Sequence, residues 1–213
     1  MTINITNKQL TIGAVCIGIA IIAIILMGTL KKTVYLKRAK ECHETVFQLN
    51  YMASLLSAEL HDTWSEYILD DKVYFDSSDG KFYKSSWSAP SSAEWCSSFS
   101  EAIEKKSDYY EDKGVEASLD SLYSVAKKII TKMTPAPQKY SSVHADITNL
   151  FHTSEAMYNC ATSPEGNLRS YTESINSLSA DFKKQNSQVD IEIGEIDEEK
   201  LSQMKLEILL KFL

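Results

Sequence analysis

Residues 10–30 read LTIGAVCIGIAIIAIILMGTL, a stretch of 21 residues without a charged side chain. As an α-helix it would be about 32 Å long, which is enough to cross the hydrocarbon core of a bilayer. A helix on the surface of a soluble core would show a polar face over this length, and none is present. The stretch therefore predicts one transmembrane helix over residues 10–30, preceded by a short tail over residues 1–9.

A cleaved signal peptide is the alternative interpretation of this stretch. Signal peptides have an apolar core of roughly 7–15 residues, followed by a cleavage site with small side chains. Here the apolar run is longer, and Met27-Gly28-Thr29-Leu30 leads directly into two lysines. We therefore expect the segment to be retained as an anchor.

Basic side chains follow the span and predict its orientation. Residues 31–40 contain no acid and five basic residues, namely Lys31, Lys32, Lys37, Arg38 and Lys40, whereas the tail carries only Lys8. Positively charged flanks tend to remain on the cytoplasmic side. This basic juxtamembrane segment predicts a cytoplasmic C-terminal domain near anionic headgroups, with an extracytoplasmic domain as the alternative.

Charge and cysteine content exclude two classes of protein for the rest of the chain. Residues 41–213 carry 16 basic and 29 acidic side chains, a net charge of −13. Such a domain is repelled by nucleic acid, so nucleic-acid binding is excluded. Its three cysteines, Cys42, Cys96 and Cys160, are odd in number and widely spaced, so they do not form a disulfide framework.

Helical periodicity runs through residues 41–189 and predicts an all-α protein built on an antiparallel four-helix bundle. Apolar residues recur in steps of three and four, and the first helix is expected to extend from about residue 33 to residue 69. A second helix would begin with a cap at Ser91, and a kink or a short break is expected at Gly114. Two further helices form a hairpin, the last of them beginning at Ser163-Pro164-Glu165.

Residues 72–90 differ from the helices in composition. Two short aromatic runs flank a turn at Asp79-Gly80, which indicates a small hairpin followed by a serine-rich loop. Aromatic side chains on a connection are candidates for binding, with a solvated crossover loop as the alternative. The candidate interaction residues of this insertion are Tyr74, Phe75, Phe82, Tyr83 and Trp87.

The tail, residues 190–213, combines an acidic linker with a C-terminal amphipathic helix. Asp197 is placed to cap this helix, whose apolar residues are too numerous for an isolated helix in water. It is expected to dock on the bundle, on the membrane surface or on another protein, and the acids before it disfavour the membrane surface. Its candidate interaction residues are Leu201, Met204, Ile208 and Phe212.

The sequence contains no recognisable catalytic, cofactor or metal motif. Its few glycines are isolated, so they form no phosphate-binding loop, and no Cys-x-x-Cys or His-Glu-x-x-His occurs. None of the four histidines has a glutamate three residues before it, as a di-iron bundle requires. We therefore assign no catalytic, cofactor or metal residues.

These patterns favour a non-enzymatic, membrane-anchored module that binds another protein as a scaffold, adaptor or inhibitor. An extracytoplasmic sensor domain is the alternative if the topology is inverted. An enzyme with a site between helices is a further alternative that no motif supports. The pairs Ala14/Gly18 and Cys16/Ala20 have the spacing of close helix contacts, so a homo-oligomer is also considered.

Overall fold

The computed structural model describes the backbone over residues 7–213 and the side chains over residues 33–213. Residues 39–213 form one compact unit, distinct from residues 1–38. The protein is mostly helical, as predicted. In chain order its elements are α1 (Asn7–Leu69), β1 (Tyr74–Asp76), β2 (Lys81–Tyr83), β3 (Glu94–Trp95), α2 (Phe99–Asp112), α3 (Val115–Met133), a short 3-10 helix (Gln138–Tyr140), α4 (Ser141–Thr162), α5 (Leu168–Ile193) and α6 (Glu198–Phe212).

The predicted membrane span falls outside the described side chains. Over residues 33–213, no helix is long and apolar enough to cross a membrane. The span over residues 10–30 and the basic pair Lys31 and Lys32 lie outside those residues. The anchor therefore stays a prediction.

Helices α1, α3, α4 and α5 form an antiparallel bundle, which confirms the predicted helical bundle. The Tyr171 hydroxyl on α5 donates to the Cys160 carbonyl on α4 across their hairpin. Tyr171 also reaches the backbone of Ser57, while His43 near the start of the unit contacts Asn186, so α1 and α5 run in opposite directions. The bundle thus brings together segments more than a hundred residues apart in sequence.

The core follows the apolar face that the three-four spacing of α1 predicts. Leucine and methionine side chains from α1 fill the centre, and α2, α3, α4 and α6 contribute the remaining contacts. Burying such side chains stabilises the fold by about 1.5–3 kcal/mol each. The buried members of this core are Leu49, Met52, Ala53, Leu56, Leu60, Tyr110, Val115, Leu119, Met157, Ala161 and Ile208.

Two predicted helix starts are wrong. The cap of α2 is Ser98 rather than Ser91, because the Ser98 side chain accepts from the Glu101 amide. The cap of α5 is Asn167 rather than Ser163, since Asn167 and Ser170 exchange side-chain and backbone hydrogen bonds in a capping box. Gly114, with φ of 72°, separates α2 from α3, as the break in periodicity predicted.

The acidic tail is more ordered than the predicted linker. Helix α5 continues past residue 189 to Ile193, which is buried, so the connection to α6 is limited to residues 194–197. Helix α6 then runs parallel to the segment of α1 that it contacts. Lys200 Nζ lies 2.6 Å from Glu44 Oε2, and Lys205 Nζ lies 5.8 Å from the centre of the Phe47 ring.

Candidate functional site

The insertion between α1 and α2 folds as a three-stranded antiparallel sheet in the order β2-β1-β3. The predicted hairpin is present, with Asp76 opposite Lys81 and the turn closed by an amide of Gly80 that donates to the Asp76 carbonyl. Strand β3 was not predicted, because Glu94 and Trp95 were assigned to a helix start. They pair instead with Phe75 and Tyr74.

Two of the predicted interaction aromatics form the inside of this insertion. Phe75 and Phe82 are buried, with ring centroids 4.8 Å apart, and they pack with Cys96 and Ala102 as a cluster separate from the main core. Burial raises the pKa of the Cys96 thiol, which is consistent with its apolar surroundings. Phe75 and Phe82 therefore hold the insertion together and are not available as surface contacts.

Acidic side chains fix the loops of the insertion. Asp76 is buried and accepts hydrogen bonds from the Ser78 amide and from the Ser92 hydroxyl, which joins the hairpin turn to the serine-rich loop. Asp79 accepts from the Lys81 amide and the Tyr83 hydroxyl. Burial alone would raise the pKa of the Asp79 carboxyl, but these hydrogen bonds outweigh it and hold that pKa below its usual range.

Lys106 of α2 fastens the hairpin to the helices. Its side chain is buried, and Nζ donates to the Gly80 carbonyl at 2.8 Å and lies 3.0 Å from Glu59 Oε2 on α1. Burial and the same Glu59 raise the pKa of the neighbouring Tyr110 hydroxyl. A buried ammonium with both partners satisfied has a structural role, because its donors are already used by the protein.

The outward face of the insertion presents two tryptophans. Trp87, in the loop between β2 and β3, is 97% exposed, and Trp95 on β3 is 58% exposed. Tyr74 and Tyr83 are half-buried. Trp87 was among the predicted interaction residues and Trp95 was not, because the local sequence around Trp95, Ser-Ala-Glu-Trp-Cys-Ser, carries no strand pattern.

The predicted interaction residues of the tail are buried or half-buried against the bundle. Met204 and Ile208 are buried against the bundle, and the Phe212 ring lies 5.1 Å from the Tyr110 ring and is tilted against it, while Leu201 is half-buried. Those side chains hold α6 against the bundle, so their surfaces are already covered by other residues of this chain. The exposed leucines of the tail were not among the predicted interaction residues: Leu206, Leu209 and Leu210 of α6, and Leu213 directly after it.

The basic residues of the juxtamembrane segment that the structure describes all face solvent. Lys37, Arg38 and Lys40 are exposed.

Cys42 and His43, which are adjacent in α1, are both buried. His43 Nε2 lies 2.8 Å from Asn186 Oδ1, and the Asn186 amide donates to Asp190. The adjacent Cys42 thiol is fully buried, and burial raises its pKa to about 12, so it is not activated as a nucleophile. Among residues 33–213, no group of three or more histidine, cysteine or acidic side chains is placed to hold a metal ion.

A surface depression with a volume of about 440 Å³ lies between the hairpin and α2. Lys105 in its wall is paired with Glu94 at 2.6 Å, and Glu101 lies 3.6 Å from the same nitrogen. Its other charged residues are Asp108, Asp112 and Lys113. Phe75 and Tyr109 supply apolar surface to the same depression.

Comparison of the chain with protein-family models, curated proteins and solved structures gives no match. The surfaces described above are therefore the basis for assigning a function to the protein.

Proposed function

We infer that this protein is a single-pass, membrane-anchored helical bundle that binds another protein and is not an enzyme. Residues 10–30 would supply the anchor, and the basic flank would keep the bundle on the cytoplasmic side. The observation that carries the proposal is the pair of exposed tryptophans, Trp87 and Trp95, on the insertion.

The insertion has the construction of a recognition surface. Tryptophan is enriched among the residues that dominate binding energy, and a large ring at 97% exposure is otherwise unfavourable in water. The framework below Trp87 is rigid, since Phe75 and Phe82 pack internally and Lys106 connects the turn to two helices. A rigid support lowers the entropy lost when a partner binds.

Photo-crosslinking in intact cells tests this assignment. The full chain would carry a photoreactive amino acid at position 87, and a matched control chain would carry it at Ile191, which is 80% exposed on α5. We expect a discrete adduct with one protein from position 87 and none from position 191. Equal labelling from both positions, or no adduct from either, would contradict a binding surface at the insertion.

Anchoring and orientation need their own measurement. The chain should stay in the membrane fraction after alkaline carbonate extraction, and a reporter fused after residue 213 should be active only in the cytoplasm. Release by carbonate would remove the anchor from the proposal. An extracytoplasmic reporter signal would favour the sensor alternative and leave the binding surface to be judged by the crosslinks.

A further inference from the structure

We propose that an extended, basic segment of the partner protein adds to the sheet of the insertion as a fourth strand along β3. The segment places a basic side chain in the depression between the hairpin and α2. This inference rests on the proposed function, because it specifies the chemistry of the partner that the insertion binds.

Strand β3 lies at the edge of the sheet and leaves one residue with both main-chain groups unpaired. In the order β2-β1-β3, only one side of β3 is paired. Glu94 is opposite Phe75, and the Cys96 amide donates to the Val73 carbonyl. Because hydrogen-bonded pairs alternate along an antiparallel ladder, the N–H and C=O of Trp95 point away from β1. Neither group has a partner among the residues that the structure describes, so an added strand would complete a close pair of hydrogen bonds there.

Side chains alternate along β3, so an added strand would meet two different surfaces. Trp95 and Tyr74 lie on one face of the sheet. Glu94 lies on the other face, where its carboxylate reaches Lys105 of α2. A partner residue opposite Trp95 would place its side chain beside the indole, and the residues before and after it would point toward the depression. The exposed tryptophan and the depression are therefore two halves of one surface, divided by β3.

The unpaired charges of the depression are negative. Lys105 is already paired with two glutamates, and Lys113 Nζ lies 4.6 Å from the centre of the Tyr109 ring. Asp108 and Asp112 are exposed, and within residues 33–213 neither carboxylate takes part in an ion pair or a hydrogen bond. The lysines are thus engaged by this chain, whereas the two aspartates are available to a partner.

This arrangement favours a basic occupant. Asp108 and Asp112 are separated by about 6 Å along α2, and like charges at this spacing slightly destabilise a helix. A cationic side chain between them would remove that repulsion, and arginine fits best because its planar guanidinium pairs with carboxylates through two hydrogen bonds. The net charge of −13 over residues 41–213 attracts the same kind of partner and repels an anionic one.

Photo-crosslinking with a synthetic strand tests the inference on the purified full chain in an uncharged detergent. The probe is benzophenone-labelled acetyl-Thr-Arg-Val-Arg-Thr-amide, whose valine would lie opposite Trp95 while both arginines face the depression. Two control peptides change one property each: citrulline in place of arginine removes the charge, and N-methylvaline removes the main-chain donor.

Charge variants of the protein complete the test. D108N/D112N removes the two carboxylates of the depression. The matched control D146N/D181N removes a half-buried aspartate from α4 and an exposed one from α5.

We expect a saturable adduct that maps to residues 91–113. Citrulline in the peptide, or D108N/D112N in the protein, should raise the peptide concentration at half-saturation by about fivefold. N-methylvaline should raise it by about tenfold, because one main-chain hydrogen bond is lost, and D146N/D181N should leave it unchanged. In cells, D108N/D112N should also weaken the adduct formed from position 87.

Several results would overturn the inference. Absence of a saturable adduct would remove the docking site. Equal half-saturation by the citrulline peptide would exclude recognition of a basic side chain, and equal half-saturation by the N-methylvaline peptide would exclude strand addition. The proposed function is judged separately by the adduct from position 87 in cells. If that adduct forms and D108N/D112N leaves it unchanged, the insertion binds its partner without the depression.

Discussion

Truncation of Phe75 should unfold the insertion while leaving the bundle intact. Phe75 is 3% exposed, its ring lies 4.8 Å from that of Phe82, and its cluster is separate from the main core. A buried phenylalanine replaced by alanine typically costs 3–5 kcal/mol, and we expect about 3 kcal/mol because the cluster is small. That loss corresponds to about a 100-fold increase in the open population of the insertion.

Thiol reactivity measures this opening directly. Cys96 is fully buried within the same cluster, and burial raises the pKa of its thiol, so it should react slowly in the native protein. In Phe75→Ala, labelling of Cys96 should accelerate by about 100-fold, and amide exchange should increase over residues 74–96 but not in α4 or α5.

The control for this experiment is Tyr74→Ala, which removes a half-buried ring from the same strand. We expect a much smaller change in its Cys96 labelling rate. An unchanged rate of Cys96 labelling in Phe75→Ala would show that the Phe75 cluster does not stabilise the insertion. Equal loss of amide protection in the insertion and in the bundle helices would show that the insertion does not unfold separately from the bundle.

Four further substitutions test particular contacts. Gly80→Ala should destabilise the insertion by about 1–3 kcal/mol, because φ is +69° and a Cβ would overlap the Tyr109 ring; the rate of Cys96 labelling measures this loss. The folded pKa of Asp79 is depressed from 3.8, so its stabilisation is present above that pH and is lost as the pH falls through the folded value. Amide exchange at acidic pH should show this loss in the native protein and not in Asp79→Asn. Met204→Ala should lower the free energy of unfolding by about 2–3 kcal/mol in denaturant titration, whereas Leu210→Ala, at an exposed position, should change it by less than about 0.5 kcal/mol.

Local caps and turns show where sequence reasoning reached its limit. Ser91 and Ser98 both precede a glutamate three residues later, so the spacing alone offered two helix starts. The structure selects Ser98 because residues 94–95 are held in β3 by pairing with β1. A contact with residues twenty positions away in the chain therefore overrides a local capping signal.

The sequence by itself determined the apolar stretch over residues 10–30, the helical class, the face of α1 that is buried, the end of that helix at Leu69 and the break at Gly114. Each of these follows from short-range periodicity or from the backbone freedom of glycine. Only the tertiary structure decided which apolar residues remain exposed. Phe75 and Met204 are covered by distant elements while Trp87 and Leu210 are not, because burial depends on what packs across the chain and not on the side chain alone.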